Sequence, residues 1–174
     1  YLVDCQDQYK DMLVRARCAP HFKRLAYEKD PNSPLTKATG YMGGGCLAGT
    51  NYARVTPNGE LTPCPYMPLS AGNVRETSFV DLWERSDVFN SFRYPQLKGK
   101  CGDCEYTDIC GGCRARPYVD HGDWLDEDQW CLYTPKGGDK IKVAFNAPEE
   151  TDIAWDEASA LRLSRIPYFL RAMV

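Results

Sequence analysis

Nine cysteines stand in this chain of 174 residues, and seven of them fall into one pattern. The pattern runs Cys46-x12-Gly59-x4-Cys64, then Cys101-x2-Cys104-x5-Cys110-x2-Cys113, then Cys131. Thiolate is the usual ligand of iron–sulfur clusters, and seven thiolates nearly fill two 4Fe–4S sites, which take four each. The run Cys101-Gly-Asp-Cys104-Glu-Tyr-Thr-Asp-Ile-Cys110-Gly-Gly-Cys113 is too dense to be accidental. Gly102, Gly111 and Gly112 suit a backbone that must fold tightly and aim N–H groups at cluster sulfur. Two other chemistries use cysteine at this density. A four-cysteine zinc site would leave three cysteines of the pattern unused, and its x5 spacer is short for two knuckles. A secreted disulfide scaffold is usually shorter and begins with a signal peptide, which the start of this sequence lacks, and an odd count leaves one thiol over.

The rest of the composition excludes several partners. The hydrophobic fraction is 43% and the charged fraction 26%, as in a soluble globular protein of one or two small domains. A net charge of −3 gives no reason to expect nucleic acid. No apolar run approaches the roughly 18 residues of a membrane helix. The sequence opens on Tyr1 instead of Met and ends in the amphipathic Ile166–Val174 without a stop signal, so it reads as a piece of a longer polypeptide.

The elements that must carry the cysteines are short, and they predict an α+β fold of small hairpins and short helices. Leu13–Cys18 reads as a strand of a buried sheet, Pro20 ends it, and His21–Lys29 is helical. Asp30–Pro34 reads as a turn. A glycine-rich stretch, Tyr41–Gly45, leads into Cys46. Tyr52–Thr56 and Glu60–Cys64 flank Pro57-Asn58-Gly59, a hairpin turn whose Asn-Gly tolerates positive φ. That hairpin brings Cys46 and Cys64 within reach of one cluster. Residues 77–93 read as two helices capped by Thr77 or Ser78 and by Ser86. Phe79, Leu82, Trp83, Phe89 and Phe92 form their apolar face. Residues 95–135 promise little regular structure, so metal ligation would have to supply their stability. The acidic stretch Asp123-Trp-Leu-Asp-Glu-Asp128 reads as a solvated surface, with docking of an electron donor as the sharper alternative.

The full seven-cysteine pattern resembles the SPASM domain of radical S-adenosylmethionine enzymes, over roughly residues 41–135. Ser86–Arg93 resembles the helix that this family carries between its cysteine groups. The resemblance implies that Cys46, Cys64 and Cys113 bind a first auxiliary 4Fe–4S cluster. It implies that Cys101, Cys104, Cys110 and Cys131 bind a second. Some relatives supply a fourth ligand to the first cluster about six residues upstream of the first cysteine, where this chain has Gly40. The first cluster then has an open iron, a non-cysteine ligand, or Cys18. The family's Cys-x3-Cys-x2-Cys motif, which binds a third 4Fe–4S cluster and S-adenosylmethionine in a partial (β/α) barrel, is missing here and is expected upstream. This piece alone would lack activity. Residues 13–24 resemble the last barrel strand, and barrel active sites sit at the C-terminal strand ends, which makes Cys18 and His21 candidates to face substrate.

Gly44–Thr50, Thr62–Pro68 and Cys110–Arg116 look most like the branch of that family that modifies tetrapyrroles in heme and heme d1 biosynthesis. There a 5′-deoxyadenosyl radical abstracts hydrogen and an auxiliary cluster accepts or relays an electron. Arg114 and Arg116 follow a cluster ligand, and arginine binds carboxylates bidentately, so both are candidates to hold a tetrapyrrole's carboxylates, with pairing to the acidic stretch as the alternative. Ile153–Arg171 resembles the start of a helical module found at the C-terminus of a protochlorophyllide reductase subunit. The organisation expected is the end of the barrel and a linker over 1–40, the SPASM domain over 41–135, a linker over 136–150 and an appended helical module over 151–174. The expected partners are a tetrapyrrole and a low-potential electron donor, in an anaerobic or microaerobic cytoplasm. A peptide-modifying maturase or a non-catalytic electron-transfer module are the competing readings.

Overall fold

The computed structural model describes residues 1–9, 11–12, 14, 16, 18–37, 45–143 and 156–165. Three short helices come first: α1 (Leu2–Gln8), α2 (His21–Lys29) and α3 (Pro34–Lys37). A two-stranded antiparallel sheet follows, β1 (Arg54–Val55) with β2 (Leu61–Thr62). Then come α4 (Phe79–Arg85), α5 (Asp87–Arg93), α6 (Gly99–Asp103), α7 (Ala115–His121) and α8 (Glu157–Ser164). This mixture of helices around a small sheet is the α+β class expected.

The hairpin forms where Asn58-Gly59 predicts it. Arg54 pairs with Thr62 and Val55 with Leu61. Gly59 takes φ +91°, and a Cβ there would lie 2.4 Å from Asn73 Oδ1, so the turn requires glycine on two counts. Ser78 caps α4 by accepting the Asp81 N–H, and Ser86 caps α5 by accepting that of Val88. The apolar face of these helices divides between two small cores. Phe89, Leu82 and Leu61 form one beneath the hairpin. Phe92 joins Ala48, Met67 and Ala115 in the other, which packs directly against Cys46, Cys64 and Cys113. Phe79 departs from the expected face: it stacks on Trp83 at 6.0 Å but remains exposed.

The segment before α2 differs from expectation. Val14, Ala16 and Cys18 belong to no strand, and Leu13, Arg15 and Arg17 lie outside the described residues. Cys18 is exposed with φ +53°, a left-handed turn that ends any extended run. Pro20 is the N-cap of α2, where its missing N–H interrupts no hydrogen bond of the helix. Helix α2 docks onto the cysteine-rich region through Arg24, whose guanidinium lies 4.4 Å over the Tyr133 ring, and Tyr27, edge-on to Tyr106 at 5.8 Å.

Residues 136–142 were expected in a linker, yet they fold back. Lys136 N–H donates to Glu105 Oε2, Ile141 N–H to the Glu105 carbonyl, and Lys140 Nζ to the carbonyls of Gly102 and Cys104. The C-terminal helix α8 is capped by Asp156 and buries no residue. The stretch 144–155, Pro167 with the rest of 166–174, and Gly40 with Tyr41–Gly44 lie outside the described residues. Among the described residues no helix is long and apolar enough to cross a membrane.

Candidate metal centre

Two groups of thiols emerge from these elements. Cys46, just before the hairpin, and Cys64, just after it, meet Cys113 at the entrance to α7, and all three pack on the Met67–Phe92 core. The thiols of Cys64, Cys46 and Cys113 lie close enough for their charges to interact, and Cys18 joins them beside Cys64. The second group is Cys101 in α6, Cys104 at its end, Cys110 and Cys131. These four line one pocket together with His21 and Arg24, and the charges of Cys101 and Cys131 act on both Cys104 and Cys110, with Glu105 acting more strongly on Cys104.

Backbone N–H groups aim at the sulfurs in a repeated way. Cys46, Cys64, Cys104 and Cys110 each accept the N–H of the residue two positions on, from Ala48, Tyr66, Tyr106 and Gly112. Cys46 also accepts the Arg114 N–H, and Cys101 Sγ accepts that of Asp128 at 3.3 Å. Such donors offset the negative charge that a ligand sulfur carries. Burial works the other way on the bare thiols. It pushes Cys64 up to about 11 and Cys110 up to about 12, and raises Cys46 and Cys104. A coordinating cation reverses that balance, because a ligating thiol is deprotonated outright. Burial, followed by the neighbouring Cys64, also lifts the Tyr52 phenol to about 12.

The acidic stretch, expected to face solvent, is instead the seam between the two groups. Asp128 is 1% exposed. Its Oδ2 accepts the Cys113 N–H and Arg116 Nη1, both at 2.9 Å, and its Oδ1 accepts the Trp130 N–H at 3.1 Å. One residue therefore holds Cys113 of the first group through its carboxylate and Cys101 of the second through its amide. Glu127 Oε2 accepts the Lys100 N–H at the start of α6, and Asp123 pairs with Lys98. Trp124 anchors the stretch to α5, stacked on Phe92 and donating to Ser91 Oγ at 3.0 Å.

Arg114 is 4% exposed. Its Nη1 donates to the carbonyls of Trp124 and Asp126, and its Nη2 points at Cys101 Sγ at 3.6 Å. All these partners are internal, so the guanidinium is spent on the seam and not on a surface open to a carboxylate-bearing ligand. Arg116 pairs with Asp128, lies 5.0 Å over the Trp130 ring, and donates through Nη2 to the Cys18 carbonyl at 2.9 Å. His21 lines the pocket of the second group. Burial first, then the Arg116 charge, lowers its pKa, against the pull of Asp128.

Gly112 is enclosed on three sides by the seam. Its φ is +68°, and a Cβ would lie 2.6 Å from Arg114 Nη2 and 2.9 Å from both Asp128 Cβ and Cys101 Sγ. The Arg116–Asp128 pair is the alternative that the sequence offered for Arg116; sequence reasoning missed the burial of Asp128 and the Arg116–Cys18 link. The acidic run gave the first no distinguishing mark, and 98 residues separate the second pair.

Comparison with known families decides what this cysteine scaffold is. Residues 46–114 match the SPASM family, described as an iron–sulfur cluster-binding domain. The chain carries a stretch similar to a SPASM domain, which holds six of the seven patterned cysteines. It is 44% identical over 128 residues to a protein named AdoMet-dependent heme synthase in Methanosarcina barkeri, covering 70% of this chain and 37% of that protein. A protein of the same name in Oleidesulfovibrio alaskensis is 39% identical over 131 residues, 72% of this chain and 34% of its own length. A PqqA peptide cyclase of Methylocella silvestris is 34% identical over 110 residues, 58% of this chain and 30% of that enzyme. The chain thus spans about a third of the length of these relatives.

The donor set fits iron–sulfur ligation: thiols gathered as three and four, with backbone N–H groups donating to Cys101 and Cys104 sulfur, as the negative charge on a ligand sulfur requires.

Proposed function

We propose that this chain is the auxiliary-cluster part of a radical S-adenosylmethionine enzyme that modifies a tetrapyrrole. In this reading Cys46, Cys64 and Cys113 hold a first 4Fe–4S cluster, and Cys101, Cys104, Cys110 and Cys131 hold a second. The observation that carries it is the division of the seven thiols into two groups, most of them already facing backbone N–H donors. Such clusters, when bound, exchange single electrons at potentials set by charge and hydrogen bonds at sulfur. The chain's own part is to orient seven sulfurs, supply those N–H donors, and hold the groups at a fixed separation through Arg114 and Asp128. S-adenosylmethionine and a third cluster would belong to sequence outside this chain, with residues 1–40 as the end of that barrel. Residues 151–174 would begin an appended module. A low-potential donor would supply the electrons, in a cytoplasm poor in oxygen.

The tetrapyrrole enters through the two heme synthase relatives. A second reading, a peptide substrate, is favoured by the match to the peptide cyclase. Both are tested on the full-length protein, purified without oxygen and given S-adenosylmethionine, a reductant and either an iron porphyrin bearing propionates or a short peptide. Formation of 5′-deoxyadenosine stimulated by the porphyrin supports the first reading. Stimulation by the peptide alone overturns it in favour of the second.

A further inference from the structure

The first cysteine group has three members where a 4Fe–4S cluster offers four irons. The geometry points to Cys18 as the fourth ligand of that site, an inference that rests on the cluster reading above.

Three observations converge on Cys18. It neighbours Cys64, within range of charge interaction, and Tyr52 feels the charge of both sulfurs. Its carbonyl is tied by Arg116 to the first group: Arg116 Nη2 donates to Cys18 O at 2.9 Å, Arg116 Nη1 to Asp128 Oδ2 at 2.9 Å, and that same Oδ2 accepts the Cys113 N–H at 2.9 Å. A single guanidinium–carboxylate pair therefore fixes the backbones of Cys18 and Cys113 relative to each other. Third, Cys18 takes φ +53°, the one positive φ outside glycine among the described residues. A non-glycine residue there costs on the order of 1–2 kcal/mol. Packing does not explain the cost, because the side chain is exposed.

Helix α2 makes the placement rigid. It begins at His21, three residues on, and its Arg24 and Tyr27 dock on Tyr133 and Tyr106 beside the second group. The chain before α2 is thereby carried across the seam toward the first. Binding would release the Cys18 proton and leave four thiolates on four irons, with no redox change in the protein.

The test compares the wild-type chain, Cys18→Ala and Cys18→Gly, each reconstituted with iron and sulfide without oxygen. Glycine adopts φ +53° freely, so a folding defect at Cys18→Gly is not expected, and thermal melts check this. Cys5→Ala, in α1, is the control. Iron and sulfide are counted, and samples are oxidised mildly for electron paramagnetic resonance. The expected result is about eight irons per chain in the wild type and in Cys5→Ala. Both Cys18 variants should lose one iron on oxidation and gain the signal of a three-iron cluster. Variants that match the wild type in iron count and signal overturn the assignment of Cys18 alone. About four irons in the wild type overturns the two-cluster reading and Cys18 with it, because no first cluster would exist to complete.

Discussion

Replacing Asp128 with Asn tests the seam between the two cysteine groups. The change keeps the shape and removes one charge. Asp128 Oδ2 accepts from Cys113 N–H and Arg116, while Oδ1 accepts from Trp130 N–H. An amide has one oxygen, so whichever way Asn turns, at least one of these donors faces an NH2 group. A buried donor left without its acceptor costs about 1–3 kcal/mol. Breaking a fully buried ion pair costs about 3–5 kcal/mol. Arg116 would retain some water, at 20% side-chain exposure, and would keep the Cys18 carbonyl and the Trp130 ring. Those remaining partners move the total toward the low end, about 3 kcal/mol. With a urea slope near 2–3 kcal/mol per molar, the midpoint should fall by roughly 1 M. The assay is urea unfolding of the cluster-loaded chain under argon, followed by tryptophan fluorescence, for Asp128→Asn, Arg116→Met and the double variant. The double variant should cost little more than Asp128→Asn alone, because the two side chains share one interaction. A midpoint shift below about 0.3 M, or costs that simply add, would refute the claim that this pair fastens the two groups.

Two further perturbations probe the same scaffold. Gly112→Ala forces a Cβ against Arg114, Asp128 and Cys101, whereas Gly122→Ala, at a similar φ of +75°, meets nothing within 4 Å. The first should lose cluster iron and the second only about 1–2 kcal/mol of stability, and equal iron contents would contradict the packing described. Burial holds the Lys23 ammonium down to about 8 from an ordinary 10.5. Between those values the unfolded chain binds more protons than the folded one, so this group makes stability rise with pH from about 8 to 10.5, by up to about 1.4 kcal/mol per unit. Unfolding midpoints at pH 7.5 and 9.5 should diverge more for the wild type than for Lys23→Met, and parallel shifts would contradict the assignment.

The parts of this fold that were legible in the sequence are those decided within a few residues. Asn58-Gly59 announces its hairpin, Ser78 and Ser86 announce their helices, and Phe89 and Phe92 announce a buried face three residues apart. Cysteine spacing sets out the scaffold in the same local way. What stayed illegible depends on partners far along the chain. Asp128 looks like its acidic neighbours Asp126 and Glu127 until Arg116 and the Cys113 amide are placed against it. Arg114 reads as a carboxylate binder because arginine is suited to that, yet the carbonyls of Trp124 and Asp126 take its donors. Leu13–Cys18 looked like a strand from its branched and apolar residues, and the positive φ at Cys18 has no signature in residue type. The supposed linker beyond 135 folds back because Glu105, 31 residues from Lys136, accepts its amide.

The central claim is that seven clustered thiols form two iron–sulfur sites. Iron and acid-labile sulfide per chain, measured on protein prepared without oxygen, tests it most directly. The account predicts about eight of each, with the count falling by roughly half in a Cys101→Ala, Cys104→Ala double variant. Zinc without sulfide would contradict it.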